Sequence, residues 1–181
     1  TADLRCGKSE LLNKCPELFV IIPCRTVTRR SIMYHYIFRH YHLIKNNLST
    51  RNVLAETILC GVLNRIHGWN LINANRIRAN YPAVDLVDQT KRVAVQVSST
   101  CDLGKVDHTL EEFQKNHLED EYDKLYILTI STANSTDTMQ KRAIPGIFYG
   151  KTDIWNTPKL IGQLMALDIG VLEDIHRYLT L

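Results

Sequence analysis

The sequence predicts an α/β (α+β) domain in which a mixed central β-sheet is flanked by α-helices. Its 181 residues suffice for one hydrophobic core, and its 45% hydrophobic and 23% charged residues are typical of a globular protein. Segments with helical spacing of apolar residues alternate with short runs rich in valine and isoleucine. The predicted order is helix, helix, hairpin, helix, strand and closing helices.

Residues 1–28 are predicted to form an N-terminal arm, extended or flexible, because Pro16 and Pro23 restrict its backbone. The domain is predicted to occupy residues 29–181. No secretory leader pattern opens the sequence, and its uncharged runs are too short to cross a bilayer. Five widely spaced cysteines without a CxxC pair argue against a disulfide framework. We therefore expect a cytoplasmic protein with no membrane contact.

Charge is distributed unevenly along the chain. Residues 1–80 carry twelve Lys or Arg and four acids, whereas residues 81–181 carry ten and fifteen. A basic half favours a polyanionic partner such as nucleic acid, although a solvated basic surface would give the same count. Arg39 and Lys45, on a helix predicted over 31–47, are candidate contacts for a nucleic-acid backbone.

Periodicity and end signals define the remaining elements. A second helix is predicted from Ser49 or Thr50 to His67, where Gly68 ends it. Two β-type runs, 83–87 and 93–98, form a predicted hairpin. The other predicted elements are a helix at 102–118, a strand at 124–131, a weaker strand or loop at 147–155, and helices near 157–166 and 168–179.

The hairpin holds the main candidate residues. A turn centred on Thr90 and Lys91 would place Asp85 opposite Gln96, with Cβ atoms about 5 Å apart. Alternation assigns one face to the core, with Val84, Leu86, Val93, Val95 and Val97, and the other to Asp85, Val87, Ala94, Gln96 and Ser98. An acid facing an amide in mid-sheet needs polar partners when buried, so this face is either solvated or a site.

Three neighbouring features complete the candidate site. Glu56 has mostly apolar helical neighbours, so its carboxylate is either solvated at the edge of the apolar stripe or held inward. Lys105 lies in the first turn of the helix after the hairpin, within reach of the hairpin's end. The hydroxyl-bearing run before that helix could cradle a phosphate or simply cap the helix; it comprises Ser98, Ser99 and Thr100.

Together these residues include two acids, an amide and a lysine, the side-chain types used in metal-dependent phosphodiester hydrolysis. Mg²⁺, or Mn²⁺ in its place, prefers oxygen ligands. The expected ligands are Asp85, Gln96, the Val97 carbonyl and Glu56. Such a metal polarises the scissile phosphate and lowers the pKa of the attacking water. Lys105 would orient that water or offset charge in the transition state.

The runs NYPAVDLVD at 80–88 and VAVQVSST at 93–100, followed by Lys105-Val106, resemble the SMEK domain of bacterial conflict and defence proteins. The resemblance extends from about Arg29 to the C-terminus. It is similar in turn to the PD-(D/E)XK superfamily and implies a restriction-endonuclease-like core. Gln96 stands where that superfamily usually has an acid, which would weaken metal binding. Ser98 stands where it has the lysine, so Lys105 would have to act from the next helix.

The sequence therefore supports two hypotheses. The first is a metal-dependent nuclease acting on DNA, or less expectedly RNA, within a bacterial defence or conflict system that includes a larger partner. The second is a catalytically inactive module for nucleic-acid binding or assembly, for instance a homodimer. Asp85 separates them, because only the first requires its carboxylate for function.

Overall fold

The structure is a computed structural model that describes residues 52–100, 102–130 and 136–180. The predicted arm at 1–28 and the predicted helix at 31–47, with Arg39 and Lys45, lie outside the described residues. The helices are α1 (Asn52–His67), α2 (Leu103–Lys115), α3 (Asp137–Gln140), α4 (Gly150–Asp153), α5 (Thr157–Met165) and α6 (Ile169–Thr180). The strands are β1 (Ile72–Asn73), β2 (Leu86–Asp88), β3 (Val93–Ser98), β4 (Lys124–Thr129), β5 (Ala143–Ile144), β6 (Phe148–Tyr149) and β7 (Ile154–Trp155).

A five-stranded mixed sheet has the order β1-β2-β3-β4-β7, and β5 pairs separately with β6. The pairs β1–β2 and β2–β3 are antiparallel, whereas β3–β4 and β4–β7 are parallel. A parallel connection needs a long crossover, which α2 provides between β3 and β4. The predicted mixed sheet flanked by helices is therefore confirmed.

The hairpin has the predicted register. Leu86 pairs with Val95 and Asp88 with Val93, so the turn is centred between Thr90 and Lys91. The register ends at Leu86, and the amide of Asp85 donates to the carbonyl of Val95, the residue that already pairs with Leu86, so the predicted pairing of Asp85 with Gln96 does not continue the ladder.

The sheet is buried on both faces. The alternation pattern leaves open that the second face is solvated. On one face, Leu59 and Leu63 of α1 pack with β2, β3 and β4. On the other face, Val106, Leu110 and Phe113 of α2 pack against the same strands. The face that carries Gln96 is therefore closed by α2 and not solvated.

Val84 lies on the α2 side of the sheet, whereas the alternation pattern predicts the α1 side. The cause is the backbone before β2. Ala83 has φ +63° and the Val84 amide donates to the Pro82 carbonyl at 2.7 Å, so the chain turns before it becomes extended. Strand alternation therefore begins only at Leu86.

The helix ends follow local chemistry. Gly68, at φ +65°, closes α1 as predicted, because glycine adopts this left-handed conformation without a Cβ clash. The carboxylate of Asp102 accepts the Lys105 amide at 2.8 Å and caps α2. Helices α5 and α6 pack on α1 through Val62, Leu164, Leu172 and Ile175. None of the helices in the described ranges has the length and apolar character needed to span a membrane.

Candidate functional site

Asp85 lies immediately before β2, where both its backbone and its carboxylate are bonded to β3. Its amide donates to the Val95 carbonyl at 3.0 Å, and its Oδ2 accepts from the Val97 amide at 2.7 Å. Its carbonyl accepts from the Ala74 amide at 2.8 Å. Burial raises the pKa of this carboxyl group, while the Val97 amide and the charge of Lys105 oppose the rise. The carboxylate is thus fixed at the carboxyl end of β3, with one oxygen already bonded.

Glu56 approaches Asp85 from α1. Asn73 of β1 donates from Nδ2 to Oε2 of Glu56 at 2.8 Å and holds this carboxylate in place. Burial raises the pKa of Glu56, the charge of Asp85 raises it further, and the Asn73 hydrogen bond opposes the rise. Two partly desolvated carboxylates that repel one another favour a bound cation or a proton. Of the two alternatives for Glu56, solvated at the edge of the apolar stripe or held inward, the hydrogen bond to Asn73 favours the second.

Asn73 is a site residue that the sequence analysis does not single out. It lies in a polar stretch that carries only a two-residue strand, too short for a period-2 pattern. Its Oδ1 accepts from the Asn75 amide at 2.9 Å, while its Nδ2 binds Glu56. An asparagine that starts a short turn is a common capping signal, so the sequence predicts its backbone role but not its contact with α1.

Gln96 lies on the buried α2 side of β3, and its Nε2 donates to the Val97 carbonyl at 3.0 Å. This hydrogen bond engages the carbonyl that the sequence analysis proposes as a metal ligand. Because the amide group carries no charge, it adds no repulsion to the pair formed by Asp85 and Glu56. Asp85 and Glu56 therefore supply all of the negative charge among the four expected metal ligands.

Lys105 is the third residue of α2, and its ammonium group is near enough to lower the pKa of Asp85. The same charge acts on Asp102, whose pKa is lowered first by the Lys105 amide and then by Thr100 and the Lys105 side chain. Lys105 is thus shared between the site and the helix cap. The cap carboxylate is a competitor that the sequence analysis does not identify.

The hydroxyl run before α2 is divided by burial. Ser98 is buried and its Oγ accepts from the Thr100 amide at 3.3 Å, whereas Ser99 and Thr100 are exposed. The amide of Lys105, which a phosphate would need, is bonded to Asp102. A carboxylate therefore occupies the helix end at which the sequence analysis places a phosphate.

The donor set suits a hard divalent cation in kind. Asp85 and Glu56 each keep one carboxylate oxygen free of the hydrogen bonds described above, and oxygen is the donor that Mg²⁺ prefers. Within the described ranges, no three His, Cys, Asp or Glu side chains lie together as a metal-binding group. A metal would therefore rest on two carboxylates, and the hydrogen bond of Gln96 to Val97 uses its Nε2 and not its oxygen.

Fold and site together define a class: a mixed α/β sheet with helices on both faces and a carboxylate pair beside a lysine at the carboxyl end of a central strand. The SMEK domain family matches residues 35–165, more than half of the chain. The chain therefore belongs to the SMEK domain family. Neither a curated protein nor a solved structure matches it.

Proposed function

We propose that this domain is a Mg²⁺-dependent nuclease that hydrolyses phosphodiester bonds, with DNA preferred over RNA. The observation that carries the proposal is the convergence of three charged groups from separate parts of the fold: Glu56 from α1, Asp85 from the position before β2 and Lys105 from α2. Burying a charged side chain costs free energy unless the charge is hydrogen-bonded and paired with an opposite charge or a metal ion. A carboxylate pair next to an ammonium group suits a bound metal and a phosphate together.

Each residue has a role in this proposal. Asp85 and Glu56 would hold the metal through their free oxygens, and Asn73 would keep Glu56 in position. Mg²⁺, when bound, would supply the charge that polarises the phosphate and lowers the pKa of the attacking water. Lys105 would bind a non-bridging phosphate oxygen or orient that water. Gln96 would position the Val97 backbone and so support Asp85.

The PD-(D/E)XK resemblance supports the same assignment. In that superfamily a helix contributes a glutamate, one strand an aspartate, and the next strand an acid and a lysine. In the proposal, Glu56 on α1, Asp85 immediately before β2 and Gln96 on β3 would take these roles, and Lys105 on the following helix would replace a lysine at Ser98. We extend the proposal to a cytoplasmic role in a bacterial defence or conflict system with further partners, on the strength of the family alone.

A catalytically inactive nucleic-acid-binding or assembly module is the second candidate. The observation in its favour is the small acidic complement of the site, since the described residues contain no group of three potential metal ligands. Replacing a carboxylate by the amide of Gln96 weakens metal affinity. In this case the basic first half of the chain would contact nucleic acid, or the domain would assemble with a second copy of the chain.

The test is Asp85→Asn, which removes the charge but keeps an oxygen to accept the Val97 amide. We expect cleavage of labelled DNA in Mg²⁺ or Mn²⁺ to fall by at least about 100-fold, because the variant loses the charge that holds the metal. Binding of Mg²⁺, measured by calorimetry, should weaken in parallel. The circular dichroism spectrum and the unfolding midpoint should change little.

Asp123→Asn is the matched control. Asp123 is exposed, pairs with Arg92 and precedes β4, at the opposite end of the parallel strands from Val97. The Asp123→Asn variant should cleave DNA at the wild-type rate. Equal cleavage by Asp85→Asn and the wild type would contradict the proposal. Wild-type protein that binds DNA but neither binds metal nor cleaves would favour the inactive module.

A further inference from the structure

The segment from Asn70 to Asn80 is basic and polar. It contains two arginines, four asparagines and no acid. After β1 it forms a short 3-10 helix, Ala74–Arg76, and then a loop. All residues from Asn75 to Asn80 are exposed. We call residues 75–80 the basic loop.

The basic loop begins at the candidate site. Ala74, the residue before it, donates its amide to the Asp85 carbonyl at 2.8 Å, and Asn73 holds Glu56. Arg76 is the last residue of the 3-10 helix that Ala74 begins, two residues after the amide that binds Asp85. The basic loop therefore follows directly on residues that contact the site.

Hydrogen bonds hold the loop in shape. Asn75 accepts the Tyr81 amide through Oδ1 at 3.1 Å. The Arg78 guanidinium lies 5.3 Å from the centre of the Tyr81 ring. The Tyr81 hydroxyl is in turn 3.0 Å from both Glu121 and the Tyr122 hydroxyl. A loop fixed in this way loses little conformational freedom when it binds a ligand.

The two arginines have no carboxylate partner in the described part of the chain, where the ion pairs of arginine involve Arg65, Arg92, Arg142 and Arg177. Between them lies Ile77, 41% exposed, and Ile72 nearby is 39% exposed. Unpaired guanidinium groups beside exposed apolar side chains suit a DNA strand, with its phosphates and its apolar sugar edges.

We propose that Arg76 and Arg78 bind the phosphate backbone of duplex DNA and direct the strand to Asp85 and Glu56. This inference deepens the proposed nuclease function and rests on it for the fate of the bound strand, although the binding itself does not require cleavage. Positive charge on a loop that begins at the candidate site would also offset the repulsion between the carboxylate pair and an approaching phosphate.

The experiment compares wild type with Arg76→Gln/Arg78→Gln in binding a labelled DNA duplex of about 20 base pairs without divalent metal. Anisotropy titrations are run between about 50 and 200 mM salt, because each phosphate contact contributes about 0.9 to the slope of log affinity against log salt. We expect affinity at low salt to fall at least about tenfold and the slope to become shallower by about 1.8. Arg76→Lys/Arg78→Lys should retain the wild-type slope.

Lys141→Gln/Lys151→Gln is the matched control, since it removes two exposed charges, one directly after α3 and one in α4, neither of which belongs to the basic loop. It should leave the slope unchanged. An unchanged slope in the Arg76→Gln/Arg78→Gln variant would overturn the inference, as would an equal loss in the lysine control. Loop-dependent binding by a wild type that does not cleave would sustain the inference while the nuclease proposal fails.

Discussion

Asp88, the last residue of β2, shows how a buried carboxylate can be wholly structural. It is 1% exposed, and it accepts hydrogen bonds from the amides of Asn70, Thr90 and Lys91 at 2.7 to 2.9 Å. Burial by itself would raise the pKa of this carboxyl group. The three amide hydrogen bonds and the Lys91 charge lower the pKa by more than burial raises it, so the net pKa lies below the ordinary value. Asp88 therefore fixes the hairpin turn and is not available as a ligand.

Asp88→Asn should reduce the free energy of unfolding by about 2–3 kcal/mol at neutral pH, because one buried amide donor would face a donor in place of an acceptor. A depressed pKa stabilises the fold above the unfolded value of about 3.9, and that stabilisation is lost as pH falls through the folded pKa. Urea unfolding of both proteins from pH 7 to pH 3 measures this. The gap between them should narrow below about pH 4; a gap that is constant with pH would contradict the role of the charge.

The register of the hairpin from Leu86 to Asp88 can be predicted from sequence because it follows from a polar turn between two valine-rich runs, whereas the bond of the Asp85 amide to Val95 cannot. The inward position of Glu56 can only be suspected, since it depends on Asn73, seventeen residues later. Asp102 and its competition for Lys105 depend on the path between β3 and α2. Contacts between elements distant in sequence leave no periodic signal, which is why these partners emerge only from the structure.

At the scale of elements, α1 and α6 contact each other closely at a glycine. A Cβ added at Gly61 would overlap the ring of Tyr178, whose hydroxyl donates to the Thr57 carbonyl at 3.0 Å and whose ring carries the Arg65 guanidinium at 4.2 Å. The glycine therefore sets how near the two helices approach. In an otherwise ordinary helix it has a packing role that outweighs its low helix propensity.

Gly61→Ala should lower the free energy of unfolding by about 1–3 kcal/mol, because the Tyr178 ring must move. Chemical denaturation measures the change. In a Tyr178→Ala background the same substitution should cost much less, as the overlap is gone. Gly162→Ala in α5 is the control: that exposed glycine has no atom within 4 Å of an added Cβ, so alanine should stabilise by about 0.5–1 kcal/mol. Equal effects at both glycines would contradict the packing role.

Long elements can be predicted from the sequence and short ones cannot. The predicted second helix, the hairpin, the strand at 124–131 and the two closing helices match α1, β2–β3, β4, α5 and α6 to within a few residues. Strands β1, β5, β6 and β7 have two residues each, so they show no alternation that could be recognised. Their existence depends on neighbours in the folded chain and not on local propensity.

At the scale of the whole molecule, one sheet separates two cores. Phe113 is fully buried on the α2 side. The two tryptophans of the chain, Trp69 and Trp155, lie on the α1 side, where they stack with their centroids 6.1 Å apart. Tryptophan fluorescence thus reports on one core only, while far-ultraviolet circular dichroism reports on all helices.

Phe113→Ala should reduce the free energy of unfolding by about 3–5 kcal/mol and shift the fluorescence and dichroism midpoints equally. The reason is that both cores share β2, β3 and β4, so neither can unfold while the other persists. Parallel urea titrations with both probes provide the measurement. A variant whose fluorescence midpoint stays at the wild-type value would show that the α1 side folds independently.

The two-residue length of β1 and β7 has a consequence for how this domain meets other proteins. In the described part of the chain these strands form the edges of the sheet, and each offers very little free backbone to an incoming strand. Long, flat edges invite other chains to extend a sheet and aggregate, whereas very short ones discourage it. Any association at these edges would depend on side chains and would be selective for a matching partner.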